Sequence, residues 1–124
     1  MSKPVAVDGD TQVKTSTKHI AADTDNAGSW SLVTSNVTKG TKVSENGKFV
    51  ELMAIAAWIY KGGRAGGNPL VPLTVQDSAT LNAGNTVLED NGSHILVDGD
   101  KASGTGDGDN QIVVSVTQQK LQTA

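Results

Sequence analysis

"HILVDGDKASGTGDGDN", residues His94 to Asn110, places four glycines and four aspartates in seventeen positions. Such a stretch is a metal-binding loop, a flexible linker or the turn chemistry of a sheet, and the choice fixes the fold class. A linker is not bracketed by apolar, β-branched sequence, yet here "ILV" (Ile95–Val97) opens the stretch and "QIVVSV" (Gln111–Val116) follows it. Asx-Gly dipeptides suit tight hairpins because Asp, Asn and Gly tolerate positive φ. Asp98-Gly99 and Asp107-Gly108 are two of five; the others are Asp8-Gly9, Asn46-Gly47 and Asn91-Gly92. Around them lie "VAV", "WSLVTSNV", "TKV", "FVEL", "PLTV", "TVL" and "HILV", short runs with β-branched residues and partial alternation. The reading is all-β: a compact single domain over 1–124, built of short strands and tight Asx-Gly turns.

Composition agrees with one small domain. The chain of 124 residues is 36% hydrophobic but only 3% aromatic, with Trp30, Trp58, Phe49 and Tyr60 its large rings. Aromatics bury the most area per residue, so the core must be thin and built from Val, Ile, Leu and Ala. Fourteen glycines add unfolded-state entropy without adding buried side chains, which favours dense strand pairing or a stabilising partner. The net charge of −3 is uneven: residues 1–73 carry eight Lys/Arg against six Asp/Glu, and residues 74–124 carry two against seven. An acidic C-terminal part disfavours nucleic acid as a partner.

Glu51 to Tyr60 resists the strand reading, because Ala, Leu and Met favour helix. Ile55, Trp58, Ile59 and Tyr60 favour strand. The expectation is strand, with a short helix over 51–60 as the alternative. "KGGRAGGNP" (61–69), with four glycines and a proline, is expected to be a loop. The ends, 1–3 and 118–124, are expected to be loosely ordered. Three segments share an apolar-x-x-Asx-Gly-charged form: "VAVDGD" (5–10), "VSENGK" (43–48) and "ILVDGD" (95–100), with glycine separations of 38 and 52. They suggest one strand-turn unit used three times.

Chemistry is sparse. The sequence has no G-x-S-x-G, H-E-x-x-H or P-loop motif, only two histidines and no cysteine, so no enzyme activity is expected. "DTDN" (23–26) and "DGDN" (107–110) could offer oxygen ligands to calcium. An EF-hand loop starting at Asp98 fails, since Ala102 and Ser103 stand where an oxygen ligand and the invariant glycine belong. The alternative is that these Asx residues cap turns. His19 and His94 are the metal candidates, two imidazoles against the roughly four ligands a zinc site needs. The N-terminal "MSKPVAVDGD" lacks the apolar core of a secretory signal, so synthesis is expected in the cytoplasm without a signal peptide. "LMAIAAWIY" (52–60) is about half a bilayer span.

"SHILVDGDKASGTGD" (Ser93–Asp107) resembles the recurring unit of PAAR and PAAR-like spike-tip proteins. In that unit a Ser and an apolar strand lead into Asx-Gly, small residues and a closing Gly-Asp, here Ser93, Ile95–Val97, Asp98-Gly99, Ala102 and Gly106-Asp107. "VSENGKFVEL" (43–52) and "VAVDGD" look like more degenerate copies, and "AAWIYKGG" followed by "SATLNAGNTVL" looks like tips of extracellular contractile injection particles. The resemblance implies a small cone of pseudo-threefold character. Such a cone caps the trimeric β-helical spike of a contractile injection apparatus, helps it pierce a target membrane, and in some systems carries an effector or toxin. It implies a monomer in isolation, exported as part of a particle, with transient membrane contact. It also implies an apex metal held by histidines and a cysteine after the Gly-Asp units. Those ligands are missing after Gly108, where "DNQIVV" follows, so no cofactor is expected unless His19, His94 and carboxylates substitute. Two other readings fit the residues: a phage or particle surface module that displays loops such as 61–69, and a calcium-stabilised extracellular β domain.

Overall fold

The computed structural model of the chain describes residues 3–21, 23, 28–64, 71–84, 88–90, 92–105 and 109–122. The architecture is all-β, with no helix among the described residues. Eight strands follow in order: β1 (Thr11–Lys14), β2 (Ser29–Glu45), β3 (Lys48–Arg64), β4 (Val71–Asn82), β5 (Glu89–Asp90), β6 (Ser93–His94), β7 (Lys101–Ser103) and β8 (Gln111–Val114). They form an antiparallel sheet β2-β3-β4, a smaller antiparallel sheet β1-β8-β7 and the two-stranded β5-β6.

Two strands of 17 residues and one of 12 replace several of the short strands read from the sequence. "WSLVTSNV" and "TKV" merge into β2, and "FVEL", the apolar run and Lys61–Arg64 merge into β3, so Glu51–Tyr60 is strand. The reason is that Asn46-Gly47 is the only turn between Ser29 and Arg64. Both its residues have positive φ, +51° and +80°, as a type I′ hairpin requires. Gly40 does not end β2: register shifts between Thr38 and Lys39, and between Lys39 and Ser44, absorb the irregularity as a bulge. Lys61–Arg64, expected in a loop, pairs with Thr74–Val71, and residues 65–69 of that predicted loop lie outside the described residues. β4 covers the expected "PLTV" strand from Val71 onward.

The core has two parts. Trp58, Tyr60, Trp30, Ala54, Ala56, Leu73, Ala79 and Leu81 from the large sheet pack against Ile112 and Val114 of β8, with Ala6, Ile20 and Leu96. Small alanines at 54, 56 and 79 let the two sheets approach around the tryptophans. The Trp30 and Tyr60 rings meet edge to face, with centroids 5.3 Å apart. Phe49 is the aromatic left outside, 43% exposed. The second cluster is Val5, Val7, Val50, Ile95 and Val97. Its members flank Ala6, Glu51 and Leu96 in sequence, so three short segments bury alternate residues into opposite sides.

Those segments, 5–7, 50–52 and 95–97, join in a closed ring of backbone hydrogen bonds. Ala6 N–H donates to Leu96 O (2.9 Å), Leu96 N–H to Glu51 O (2.9 Å) and Glu51 N–H to Ala6 O (3.0 Å). Each residue is donor to one neighbour and acceptor from the other, and all three are buried, so the ring has threefold character in a single chain. Its members are spaced 45 residues apart, at 6, 51 and 96. The middle segment is therefore Val50–Leu52, not the Asx-Gly copy at 43–48 that the sequence reading aligned. "VAV" and "HILV" serve this ring through the bridges Val5↔Val97 and Val7↔Val50 rather than forming long strands.

Chain ends close over the second cluster. Val5 N–H donates to Leu121 O, and the Gln118 side-chain amide donates to both Val5 O and Leu121 O (2.8 Å each). Gln118–Gln122, expected to be loose, is thus held by hydrogen bonds next to the ring; residues 1, 2, 123 and 124 lie outside the described residues.

Candidate functional site

The Asp-Gly turns next to the ring work differently from hairpin turns. In Val7–Asp10 and in Val97–Asp100 only the glycine has positive φ, +100° at Gly9 and +90° at Gly99, as in a type II turn. Each turn is closed twice. Asp10 N–H donates to Val7 O (2.9 Å) while the Asp10 carboxylate accepts from Val7 N–H (2.9 Å), and Asp100 repeats both bonds with Val97 (3.1 and 3.0 Å). These are corners that turn the chain out of the ring into β1 and β7. The ring and its corners are stitched to β8 as well: Gly99 N–H donates to Val114 O, Val116 N–H to the Asp98 carboxylate and Ser115 N–H to Asp10 O. Gly92 also has positive φ, +89°. Asn91, Gly106, Asp107 and Gly108, the remaining predicted turn residues, lie outside the described residues.

Four buried carboxylates tie the elements together, and the sequence reading had assigned none of them a place in the interior. Asp77 of β4 accepts from Thr105 N–H (2.6 Å), Thr105 hydroxyl (3.1 Å) and Ser78 N–H (2.9 Å) on one oxygen, and from the Asn110 amide (2.9 Å) on the other. Asn110, fully buried, uses its own side-chain oxygen to accept from Ser16 N–H (2.7 Å). The glycine-rich stretch is therefore pinned to the large sheet through Asp77, and Gly104 is the point of closest approach. A Cβ on Gly104 would lie 2.1 Å from the Asp77 carboxylate. A cavity of about 380 Å³ beside Asp77 is lined by Val33, Trp58, Ile59, Gln76, Ser78 and Thr105, but the Asp77 oxygens are engaged with protein donors.

Asp90 of β5 reaches the bulge of β2. Its carboxylate accepts from three successive backbone N–H groups, Thr41 (3.3 Å), Lys42 (3.0 Å) and Val43 (2.7 Å). The hydrogen bonds from Val43, Lys42 and Thr41 hold its pKa below the usual 3.8, against the opposing effect of burial. Asp23 accepts from Gly28 N–H (2.8 Å) and from the Tyr60 hydroxyl in a short hydrogen bond. Burial, then this bond to Asp23, pushes the Tyr60 phenol above its usual value.

Glu51 is the ring's own carboxylate, 1% exposed, and accepts from the Thr11 hydroxyl (2.6 Å). Burial raises its pKa above the usual 4.5 and nearby Asp10 adds to the rise, while the Thr11 hydroxyl and the Gly9 and Thr11 amides pull it down. A carboxyl whose folded pKa is raised binds its proton more tightly in the folded state. Its contribution is fully present below about 4.5 and is lost as pH rises through the folded value. Asp90 has the opposite sign: its contribution is present above 3.8 and is lost as pH falls through its lowered folded value. Urea midpoints of Glu51→Gln across the acid-to-neutral range should show a weaker decline above pH 4.5 than the wild type, with the acid limb retained. An unchanged slope would show that Glu51 is not the group responsible.

The two histidines stand in different surroundings. His19 Nδ1 is 3.1 Å from the Tyr60 hydroxyl and 4.0 Å from the Asp23 carboxylate, whereas His94 Nδ1 is 4.0 Å from the Glu89 carboxylate across the β5-β6 pair. Because the Tyr60 proton goes to Asp23, His19 Nδ1 is the donor to the Tyr60 oxygen. Among the described residues no three His, Asp or Glu side chains converge as a metal site. Of the two Asx clusters read as calcium candidates, Asp23 and Asn110 are spent on internal hydrogen bonds, and residues 24–26 and 107–108 lie outside the described residues.

The geometry, then, is that of a braced scaffold: a threefold backbone ring, two carboxylate-closed corners beside it and buried acids that fasten neighbouring elements to one another. Compared with protein families, curated proteins and solved structures, the chain matches none.

Proposed function

We propose that the chain is a non-enzymatic structural tip that caps the trimeric β-helical spike of a contractile injection apparatus and helps it pierce a target membrane. The observation that carries this reading is the ring at Ala6, Glu51 and Leu96. A single chain with three comparable segments around one axis is suited to seat on a threefold-symmetric end, and the segments at 5–7, 50–52 and 95–97 about the closed hydrogen-bond ring support this. The resemblance of Ser93–Asp107 to the spike-tip unit supports the same reading. Mechanical load suits the construction. Ring, corners and buried acids join the elements through many hydrogen bonds of ordinary length. In this proposal the tip leaves the cell with the particle, meets the membrane transiently and carries any effector as cargo; nucleic acid is not among its partners.

The test is stoichiometry. Mixed with the trimeric spike protein from the same source, the chain is expected to form a complex of one copy per trimer, read by native mass spectrometry. Absence of a complex, or one copy per spike protomer, overturns the reading, and a self-assembled trimer of this chain favours a surface module instead.

A further inference from the structure

β2 lies at the edge of its sheet and, among the described residues, pairs with β3 alone. A strand backed by a core hides every second side chain. From Ser31 to Asn36 every residue of β2 is exposed, Val37 is half-buried, and Thr38 and Lys39 are exposed again. Both faces are therefore open over Ser31–Asn36, and Val37 is where the strand rests on the core. Register shifts bracket its middle, one between Leu32 and Thr34 and the other between Thr38 and Lys39. Between them Thr34–Thr38 runs in unbroken register with Ala57–Met53. The outer side of such a run carries unpaired N–H and C=O groups, a template for another strand. Edges that must stay single are blunted by charge or proline. "TSNVT" has neither, and Lys39, just past it, is engaged with Asp8 (Nζ to Oδ1, 3.2 Å).

We propose that the Thr34–Thr38 edge of β2 is a strand-addition site that takes one uncharged extended segment of the trimeric spike. This rests on the tip reading and names its contact. β3, which backs the run, also supplies Val50–Leu52 to the ring, and Met53, opposite Thr38, directly follows Leu52. The open edge thus starts beside the ring and extends ~14 Å away from it, so a partner centred on the ring's axis has it within reach. The segment must be uncharged, because Ser, Thr and Asn side chains offer no counter-charge and the neighbouring exposed Leu32, Val33 and Ile55 are apolar. A second copy of this chain is the poorer occupant: five paired residues alone fall short of the ~1,000 Å² that a stable interface between two copies needs.

Amide hydrogen exchange of the wild-type protein, alone and with the trimeric spike, tests this. In the free protein the outward amides of Thr34–Thr38 should exchange fast, and in the complex they should slow by about tenfold or more. A Thr34→Lys/Asn36→Lys variant, altered only at exposed positions, should weaken binding about tenfold with an unchanged melting temperature. A complex that leaves these amides unprotected overturns the strand-addition site while sparing the tip reading. Failure of the wild type to bind the trimer overturns both. Protection that rises with the concentration of this chain alone assigns the edge to a second copy and overturns the proposal.

Discussion

Replacing Asp77 with alanine is expected to lower the unfolding free energy by about 4 kcal/mol, since a buried donor left without its partner costs about 1–3 kcal/mol and several are released together. Asp77 is 4% exposed and accepts from Thr105 through both backbone and hydroxyl, from Ser78 and from Asn110. Its loss leaves the Asn110 amide facing an empty space inside the protein. Asn110 cannot turn its oxygen inward to compensate, because that oxygen accepts from Ser16 N–H. The same constraint makes Asp77→Asn costly, at about 2 kcal/mol: one orientation of the new amide sets its NH₂ against the Asn110 NH₂, and the other sets it against Thr105. Urea unfolding of the three proteins checks the order wild type, Asp77→Asn, Asp77→Ala. If both variants are as stable as the wild type, the carboxylate is not the group that fastens the glycine-rich stretch to the large sheet. Gly104→Ala, whose Cβ would lie 2.1 Å from the same carboxylate, should resemble Asp77→Ala because it displaces the same hydrogen bonds from the other side.

The legible part of the fold was its local chemistry. Asn46-Gly47 makes the hairpin turn it was read to make, Glu51–Tyr60 is strand, and "QIVV" is β8, because a two-residue turn and a β-branched run each carry their signal within a few positions. The observed strands run through Gly40 and Gly62, which lie outside the short runs expected from the sequence. Both are places where something must come close: a Cβ on Gly40 would lie 2.2 Å from the Asp90 carboxylate, and one on Gly62 would lie 2.8 Å from Gly28. A glycine required by a distant residue cannot be told from a turn glycine by its neighbours in sequence.

The ring was misaligned for a related reason. Asx-Gly dipeptides dominate any comparison of the three segments, and they put the middle copy at Val43–Lys48. What repeats in space is a three-residue apolar alternation, "VAV", "VEL" and "ILV", at 5, 50 and 95, and its middle member carries a glutamate where the others have Ala6 and Leu96. The constant spacing of 45 residues was the available signal, but three residues are too few to stand out against a chain rich in valine. The buried acids were invisible for a deeper cause. Aspartates were weighed as local caps of their own turns, which describes Asp10 and Asp100. Asp77 and Asp90 cap backbone 28 and 47–49 residues away, a choice that only the tertiary fold defines.

Gly40→Ala should cost about 3 kcal/mol, near the upper end of what overpacking a filled interior costs. The added methyl would meet the Asp90 carboxylate at 2.2 Å and the Val50 side chain at 3.0 Å, and neither has room to yield. Asp90 is held by Thr41, Lys42 and Val43, whose amides gain no other acceptor if the carboxylate withdraws. Val50 is a fully buried member of the cluster beside the ring, so displacement there is transmitted to the threefold centre. Gly47→Ala supplies the control. Its Cβ would touch nothing within 4 Å, and the substitution is penalised only by the positive φ, at about 1 kcal/mol. Thermal or urea melts of the two single variants therefore separate two causes that look alike in sequence, since each glycine lies in the same long hairpin. Equal losses would mean that the bulge of β2 relaxes around a methyl group and that Asp90 does not clamp it. A threefold larger loss at Gly40, with the Asp90 acid limb of the stability curve weakened in Gly40→Ala alone, would tie the bulge, the buried carboxylate and the ring into one mechanical unit.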